Sequence, residues 1–283
     1  MPLFQFEGCR QRIRRAQSHS EAVAKMWNDN IAEEGFYSAR VCMYDDGTGS
    51  IRVDPIYGWE FLNTISLQFG EMLYQLRAAL DSCIYGARVC ETGQNPPPDE
   101  NKLEFPICKN RAEYNAFDRA PLSDKRRAIL EAVQPYNVPE LAPEHMVFNF
   151  NRTLAILHDW ARKDRHRRLH MLGSWASNAS PKIRCPKGTT LAYVRVNGAG
   201  FLEHKNEIAT FQLIGFREGM EVQANPDIAI DIAVDEIPPP CADNDTLGNR
   251  VRAMLKATES IVGAMEGTFK SGQSSGRQTN PEQ

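Results

Sequence analysis

The chain has 283 residues, of which 42% are hydrophobic and 24% are charged, a composition typical of a globular protein with a sizeable core. Its formal net charge of −3 excludes a chain-wide surface for nucleic acid or anionic membrane, so any such contact must be local. The sequence contains no signal-peptide pattern, no apolar window of about 18 residues and no C-x-x-C pair, so we expect a cytoplasmic protein without membrane contact, disulfide framework or zinc ribbon.

The first part of the sequence predicts helices around one hairpin. Residues 10–34 carry a sparse apolar stripe typical of a helix, and RVCMYDDGTGSIRV at 40–53 predicts two strands around a glycine-rich turn. From Trp59 to about Arg88, apolar residues recur every three or four positions, which predicts one long helix. Its predicted stripe consists of Leu62, Ile65, Phe69, Leu73, Leu76, Leu80, Ile84 and Ala87.

Beyond this helix a surface loop is predicted at 91–102, where three consecutive prolines disfavour helical structure. Further helices are predicted near 110–118, near 123–134 and from about Pro143 to Leu172. After Gly173, strands are predicted at LAYVRV, EIATFQLIGF and IAIDIAVDEI, and PPP at 238–240 ends them. A last helix is predicted at 245–267, and the polar end SGQSSGRQTNPEQ predicts a disordered tail.

These elements predict an α+β fold class, a mainly helical bundle with an N-terminal hairpin and a small C-terminal antiparallel sheet. The predicted regions are a mainly helical region at 1–172, a small β region at 173–240, a C-terminal helix at 241–267 that packs back on the bundle, and a disordered tail at 268–283. The sequence contains no internal repeat.

Two of the predicted helices carry charged residues close to their apolar faces. On a helical wheel Arg77 and Asp81 fall together on the flank of the apolar stripe. In LHDWARKDRHRRLH at 157–170, Asp164 and Arg168 interrupt the apolar side. Because buried charges need partners, these residues are predicted to form either a structural ion-pair network between two helices or a functional site.

The opposite face of the same segment gathers Asp159, His166 and His170, which are weak candidates for metal ligands or residues of a solvated face. The basic run Arg162–Arg168 is either solvated or a grip for the phosphate of RNA or a nucleotide, because arginine presents a planar fork to phosphate oxygens. L-H-D at 157–159 resembles the motif of HD-type metal-dependent phosphohydrolases, although the other ligands of that family are not matched. No cofactor is firmly implied.

Four ordered segments carry a family resemblance, namely YQLRAALDSCIYGA (74–87), EFPI (104–107), LEAVQPYN (130–137) and LHDWARKDRHRRLH (157–170). Together they resemble an uncharacterised bacterial family with an L-R-S-A-L-D-H helix, an F-P-I segment, an L-Q-P-Y segment and a D-K-H-R helix. The resemblance covers roughly residues 60–172 and implies no established activity.

The family's R-x4-H pattern on the first of these helices is similar to the signature of HEPN-type helical ribonucleases. In those enzymes arginine stabilises charge that develops on an RNA phosphodiester, and histidine transfers a proton. The resemblance places Arg77 at the arginine, but Ser82 stands at the histidine position, and serine has no proton-transfer pKa near neutrality. On the second helix, Arg165 and His170 also satisfy R-x4-H.

Two classes of function remain open. The enzyme hypothesis places six residues around a cleft that acts on a phosphodiester or nucleotide: Arg77, Asp81, Asp164, Arg165, His166 and His170. It predicts that their side chains converge, with at least one histidine near a carboxylate and open to solvent. The other hypothesis is a non-enzymatic accessory or binding protein, in which the charges lock two helices and function belongs to the sheet or to a homodimer interface. Base rates favour the second class, because buried charges are usually structural.

Overall fold

The computed structural model describes residues 5–34, 37–117, 122–137, 150–166, 170, 172–198, 200–202, 206–234 and 246–274. Within these ranges the chain forms six α-helices and nine β-strands, and all paired strands run antiparallel. The predicted α+β class is therefore confirmed.

The chain divides into two compact units. The helical unit contains Met1–Val23, Leu67–His170 and Pro239–Gln283. The sheet unit contains Ala24–Ser66 and Met171–Pro238. Two long helices, α1 (Glu7–Glu34) and α2 (Trp59–Thr92), contribute residues to both units.

The apolar stripe predicted for α2 is confirmed, since all eight of its residues are buried. Spacings of three and four residues place these side chains on one side of the helix, which explains why this segment folds as a long helix rather than as strands. In the helical unit α1 runs antiparallel to α2. Arg12 Nη1 lies 3.4 Å from Gln75 Oε1, whereas the later His19 reaches the earlier Gln68, with 2.7 Å between Nδ1 and Oε1.

The remaining helices are α3 (Arg111–Ala116), α4 (Asp124–Ala132), α5 (Phe150–His166) and α6 (Leu247–Ser274). Both α4 and α5 pack against α6. α6 continues beyond the predicted end at residue 267, and positions 275–283 of the predicted tail lie outside the described residues. Within the described ranges, no helix combines the length and the apolar character needed to cross a membrane.

The predicted helix from Pro143 to Leu172 is wrong at its C-terminal end. α5 ends at His166, and Leu172 begins the strand β3 (Leu172–Ala179), while positions 143–149 lie outside the described residues. β3 pairs with β9 (Ile228–Val234). A helical periodicity calculated over neighbouring residues cannot detect a strand whose partner is so distant in sequence, because tertiary pairing overrides local preference.

The other strands of the sheet unit are β1 (Tyr37–Met43), β2 (Thr48–Pro55), β4 (Lys182–Arg184), β5 (Thr190–Val196), β6 (Gly200–Phe201), β7 (Glu207–Ile214) and β8 (Gln223–Asn225). They form sheets with the strand orders β1-β2-β7-β5, β6-β3-β9 and β4-β8. The predicted hairpin corresponds to β1 and β2, and the three predicted C-terminal strands correspond to β5, β7 and β9. β2 also pairs with β7, so the hairpin shares a sheet with C-terminal strands. The predicted end at PPP lies outside the described residues.

The largest sheet buries one of its faces. Alternate residues of its two inner strands supply the apolar core, namely Ile51, Val53, Ala209, Phe211 and Leu213. This alternation follows from the pleat of a strand, which directs successive side chains to opposite faces. Thr210 and Gln212, which lie between the core residues of β7, are only half-buried.

Phe211→Ala tests this core. Because Phe211 is fully buried, its truncation should lower the free energy of unfolding by about 3–5 kcal/mol, through lost burial and the cavity that remains. Urea denaturation gives the measurement. Ile214→Ala on the same strand, where the side chain is 63% exposed, is the matched control and should change stability by less than about 0.5 kcal/mol. Equal losses in the two variants would contradict the assignment of Phe211 to the core.

Candidate functional site

Arg77 and Asp81, one turn apart on α2, hold the backbone of Phe105. The Arg77 side chain is only 2% exposed, and its Nη2 donates to the Phe105 carbonyl oxygen at 2.8 Å. The same nitrogen lies 3.0 Å from Asp81 Oδ1 and 2.8 Å from Glu104 Oε1. Asp81 Oδ1 in turn accepts the Phe105 N–H at 3.0 Å. Both backbone polar groups of Phe105 are therefore satisfied by charged side chains of α2.

Gln134 holds the other end of the same segment. Its side chain is completely buried just after α4, and Oε1 accepts the Cys108 N–H at 2.9 Å. Its Nε2 donates to the carbonyl oxygens of Pro106 and Leu130, at 2.9 and 2.8 Å. We call Arg77, Asp81 and Gln134 the clamp. Three of the four segments that carry the family resemblance thus meet around residues 105–108.

His158 on α5 belongs to the electrostatic surroundings of the clamp. Burial, followed by the positive charge of Arg77, lowers the pKa of His158 below its usual value. Its Nδ1 is buried and has no hydrogen-bond partner among the described residues. His158 is therefore neutral at pH 7, so it adds no positive charge beside Arg77.

A second contact between α2 and α5 is formed by Gly70 and Asp164. A Cβ atom at Gly70 would lie 2.8 Å from each carboxylate oxygen of Asp164, so only glycine permits this approach. The backbone N–H of His170 interacts with this carboxylate, whereas Oδ1 is buried without a hydrogen-bond partner among the described residues. Burial raises the pKa of Asp164, and the charge and N–H of His170 oppose that rise. The prediction that Asp164 faces inward from α5 is in accord with this contact.

His170 lies in the interior. Its ring is only 2% exposed, and Nε2 lies 2.9 Å from the carbonyl oxygen of Trp160. Because a carbonyl oxygen can only accept, Nε2 carries the hydrogen. The ring also packs edge-to-face on Phe69, with 6.3 Å between centroids. The expectation that His170 shares an outward helical face with His166 is wrong, because α5 ends at His166 and helical spacing does not extend to residue 170.

The six predicted site residues do not form one observed cluster. Arg77 and Asp81 belong to the clamp, whereas Asp164 and His170 lie beside Gly70, about 10 Å away along α2, given the helical rise per residue. The side chains of Arg165 and His166 lie outside the described residues, as does all of Arg168. The four residues whose side chains are described thus fall into two groups, and the convergence of all six remains a prediction.

The proposed metal ligands are also separated. Asp159 is 3.8 Å from Lys109 Nζ in an exposed ion pair, while His170 is buried. In the part of the chain that the structure describes, no group of three or more His, Cys, Asp or Glu residues could hold a metal ion. Of the basic run, Arg162 is exposed and Lys163 is half-buried, and the remaining basic side chains are outside the described residues.

A cavity of about 640 Å³ lies next to the clamp and is lined in part by Asp81 and Ser82. Ser82 is the residue at the histidine position of the HEPN-like pattern. Glu7 also lines the cavity and is paired with Arg14, as Asp81 is with Arg77. Two carboxylates in the wall disfavour a phosphate group there, since like charges repel.

Sequence reasoning missed Glu104, Gln134 and Gly70 as partners of the predicted charges. Gln134 had a usable signal, because it lies in one of the segments that carry the family resemblance. Glu104 also lies in such a segment, EFPI, but its role was missed because an acidic residue in a loop matches many solvated positions. No family model, curated protein or solved structure matches the chain.

Gly70→Ala tests the close approach of Asp164. The new methyl group would displace the carboxylate and weaken its bond to the His170 N–H, so the free energy of unfolding should fall by about 1–3 kcal/mol. Gly263→Ala in α6 is the matched control. Nothing lies within 4 Å of its Cβ position, so the higher helix propensity of alanine should raise stability by about 0.5–1 kcal/mol. Urea titration of both variants should give opposite signs; a shared sign would refute the contact.

The pKa of Asp164 gives a prediction with a defined sign. Because that pKa is raised in the folded state, the native protein binds more protons than the unfolded chain just above the ordinary carboxyl pKa. Ionisation of Asp164 therefore reduces stability as the pH rises through this window. Asp164→Asn keeps an acceptor for the His170 N–H but cannot ionise. The difference between its melting temperature and that of wild type should therefore shift in favour of the variant as the pH rises from about 4 to 7.

Asp164→Ala should behave differently from Asp164→Asn. It leaves the His170 N–H without its acceptor, so stability should fall by about 1–3 kcal/mol at any pH in this range. Asp159→Asn, which removes an exposed carboxylate from the same helix, is the matched control for the loss of charge. If Asp164→Ala melts at the wild-type temperature, Asp164 has no structural role.

Proposed function

We propose that this protein is a non-enzymatic accessory or binding protein, in which the charged motif residues form a structural lock. The observation that carries the proposal is the position of Arg77. Its guanidinium group is buried and is bound to Asp81, Glu104 and the Phe105 carbonyl oxygen. A catalytic arginine must instead present N–H groups to the position where charge develops on the substrate.

Both terminal nitrogens of Arg77 are withdrawn from solvent. Nη2 makes the contacts of the clamp, and Nη1 is a buried atom without a hydrogen-bond partner among the described residues. Because only 2% of the Arg77 side chain is exposed, a phosphate could reach this guanidinium only by displacing groups that now contact it. Opening the clamp would leave buried backbone groups unsatisfied, at a cost of about 1–3 kcal/mol for each group.

A second buried arginine in the same unit has a comparable structural role. Arg126 on α4 forms an ion pair with Glu91 near the end of α2. Its Nε also donates to Thr268 on α6 at 3.0 Å. Arg126 lies outside every predicted functional motif, so this chain uses a buried arginine to join helices where no chemistry was predicted. This similarity supports the structural interpretation of Arg77.

Ribonuclease activity of the HEPN type and metal-dependent phosphohydrolase activity are the alternatives. Both require that the purified protein cleave a phosphodiester, the second only with bound metal. If the proposal is correct, wild type will cleave single-stranded or structured RNA no faster than His170→Ala or Arg77→Met does. The assay is run with Mg²⁺, with Mn²⁺, with Zn²⁺ and with a chelator. Metal analysis of the purified protein completes the test.

Arg77→Met separates a lock from a catalytic residue. The substitution keeps an unbranched apolar side chain but removes the donors, so Asp81 and the Phe105 carbonyl lose their partner. The free energy of unfolding should fall by about 3 kcal/mol. Arg14→Met, at an exposed arginine paired with Glu7, is the matched control and should cost less than about 1 kcal/mol.

Glu104→Gln serves as an internal control. Glu104 is 60% exposed, so its ion pair with Arg77 should contribute only about 0–1 kcal/mol. The proposal fails if wild type cleaves RNA and Arg77→Met abolishes cleavage at a temperature where circular dichroism shows that the variant is folded.

A further inference from the structure

β5 lies at an edge of the largest sheet and is exposed along its whole length. Among the residues that the structure describes, the strand order β1-β2-β7-β5 leaves one side of β5 without a neighbouring strand. All seven residues of TLAYVRV are exposed. Its apolar residues include Tyr193, which is 50% exposed, and Val194, which is 36% exposed. A long, apolar edge strand presents unpaired N–H and C=O groups on which another strand can form.

The opposite edge of the same sheet is protected. Residues 41–43 of β1 are half-buried, and β8 packs beside this strand. Arg40 of β1 forms an ion pair with Asp54 of β2, with 3.1 Å between Nη2 and Oδ2. Charged side chains on an edge strand, and other parts of the chain that cover it, commonly prevent pairing with a further strand. β5 has only Arg195 for this purpose, so the two edges are not equivalent.

The register with β7 assigns each β5 side chain to a face. Directly opposite residues of an antiparallel pair lie on the same face. Leu191, Val194 and Val196 lie opposite the core residues Leu213, Phe211 and Ala209. Tyr193 and Arg195 lie opposite Gln212 and Thr210, on the other face. A shift between Leu191 and Tyr193 puts one extra residue in β5 at that point.

We infer that a second copy of this chain occupies the free edge, with β5 pairing antiparallel to itself about a two-fold axis at Val194. In this register Val194 lies opposite Val194 of the second copy, and Tyr193 lies opposite Arg195 of the second copy. The symmetry repeats the Tyr–Arg pair, and a cation beside an aromatic ring is attractive. The apolar face of β5 continues into the same face of the second copy, so the pairing is self-complementary and closed.

Neighbouring registers are disfavoured by the residues themselves. An axis at Arg195 would set two arginines opposite each other, and like charges in opposed positions destabilise a sheet. An axis at Tyr193 would set Leu191 opposite Arg195, but the shift in β5 places these two side chains on different faces. The sequence of β5 therefore selects a second copy of itself in one register. This inference goes beyond the proposed lock on α2 and does not depend on it.

Sedimentation equilibrium tests the dimer. Wild type should have twice the chain mass of 31.9 kDa, and Val194→Lys should weaken association by about tenfold or more, because it opposes two positive charges at the axis. Tyr44→Lys, at an exposed aromatic residue in the β1–β2 turn, is the matched control and should remain dimeric. The far-ultraviolet circular dichroism spectra of both variants should match that of wild type, since both positions are exposed.

Crosslinking tests the register. Val194→Cys should give a covalent dimer with a short bifunctional maleimide, well above the background of the wild-type cysteines, whereas Tyr44→Cys should not. A monomeric wild type at about 100 µM would overturn the inference, as would a dimer that Val194→Lys leaves intact. Neither result bears on RNA cleavage or on the stability of Arg77→Met, so failure of the dimer and failure of the lock are distinguishable.

Discussion

The ion pair of Arg77 with Asp81 is the contact on which residues 105–108 depend. This stretch has no regular secondary structure, yet Phe105 and Cys108 are buried. A buried strand or helix satisfies its own backbone groups, whereas a buried irregular segment needs partners from elsewhere. Arg77 and Asp81 supply them at Phe105, since one donates to its carbonyl and the other accepts from its N–H.

Burying a charge for this purpose carries a desolvation cost, which the contacts of Arg77 Nη2 with Asp81, Glu104 and the Phe105 carbonyl oxygen offset. Gln134 satisfies backbone groups of the same segment without burying a charge. Its side-chain amide accepts from the Cys108 N–H and donates to the Pro106 carbonyl oxygen. The Asp164 contact shows the cost more directly, since burial raises the pKa of that carboxyl. Replacing one partner is therefore more damaging than the modest net value of the pair suggests.

Local patterns allowed much of the fold to be predicted. The eight stripe residues of α2 repeat with helical spacing and are buried, and β7 and β9 follow from β-branched and alternating segments. β3 was missed because its stabilising partner is β9, and the paired residues lie 49 to 62 positions apart in the sequence, from Ala179 with Ile228 to Leu172 with Val234. A pattern of neighbouring residues carries no information about pairing over that separation.

In the candidate site, too, local patterns predicted the residues within regular helices and missed those outside them. Helical spacing indicated the pair Arg77 and Asp81 and the inward position of Asp164, because these residues lie within regular helices. The position of His170 could not be predicted by extending a helical wheel beyond His166. The roles of Glu104 and Gln134 depend on how separate segments meet, which no local pattern contains.

The clamp also has a consequence for the dynamics of the backbone. Amide hydrogens exchange slowly when their acceptors are buried and held, whether or not they belong to a helix or strand. The amides of Phe105 and Cys108 donate to side-chain acceptors, Asp81 and Gln134. Their exchange with solvent deuterium therefore reports the release of two side chains, one on α2 and one just after α4. The irregular segment is thus protected from exchange as a buried helix or strand would be.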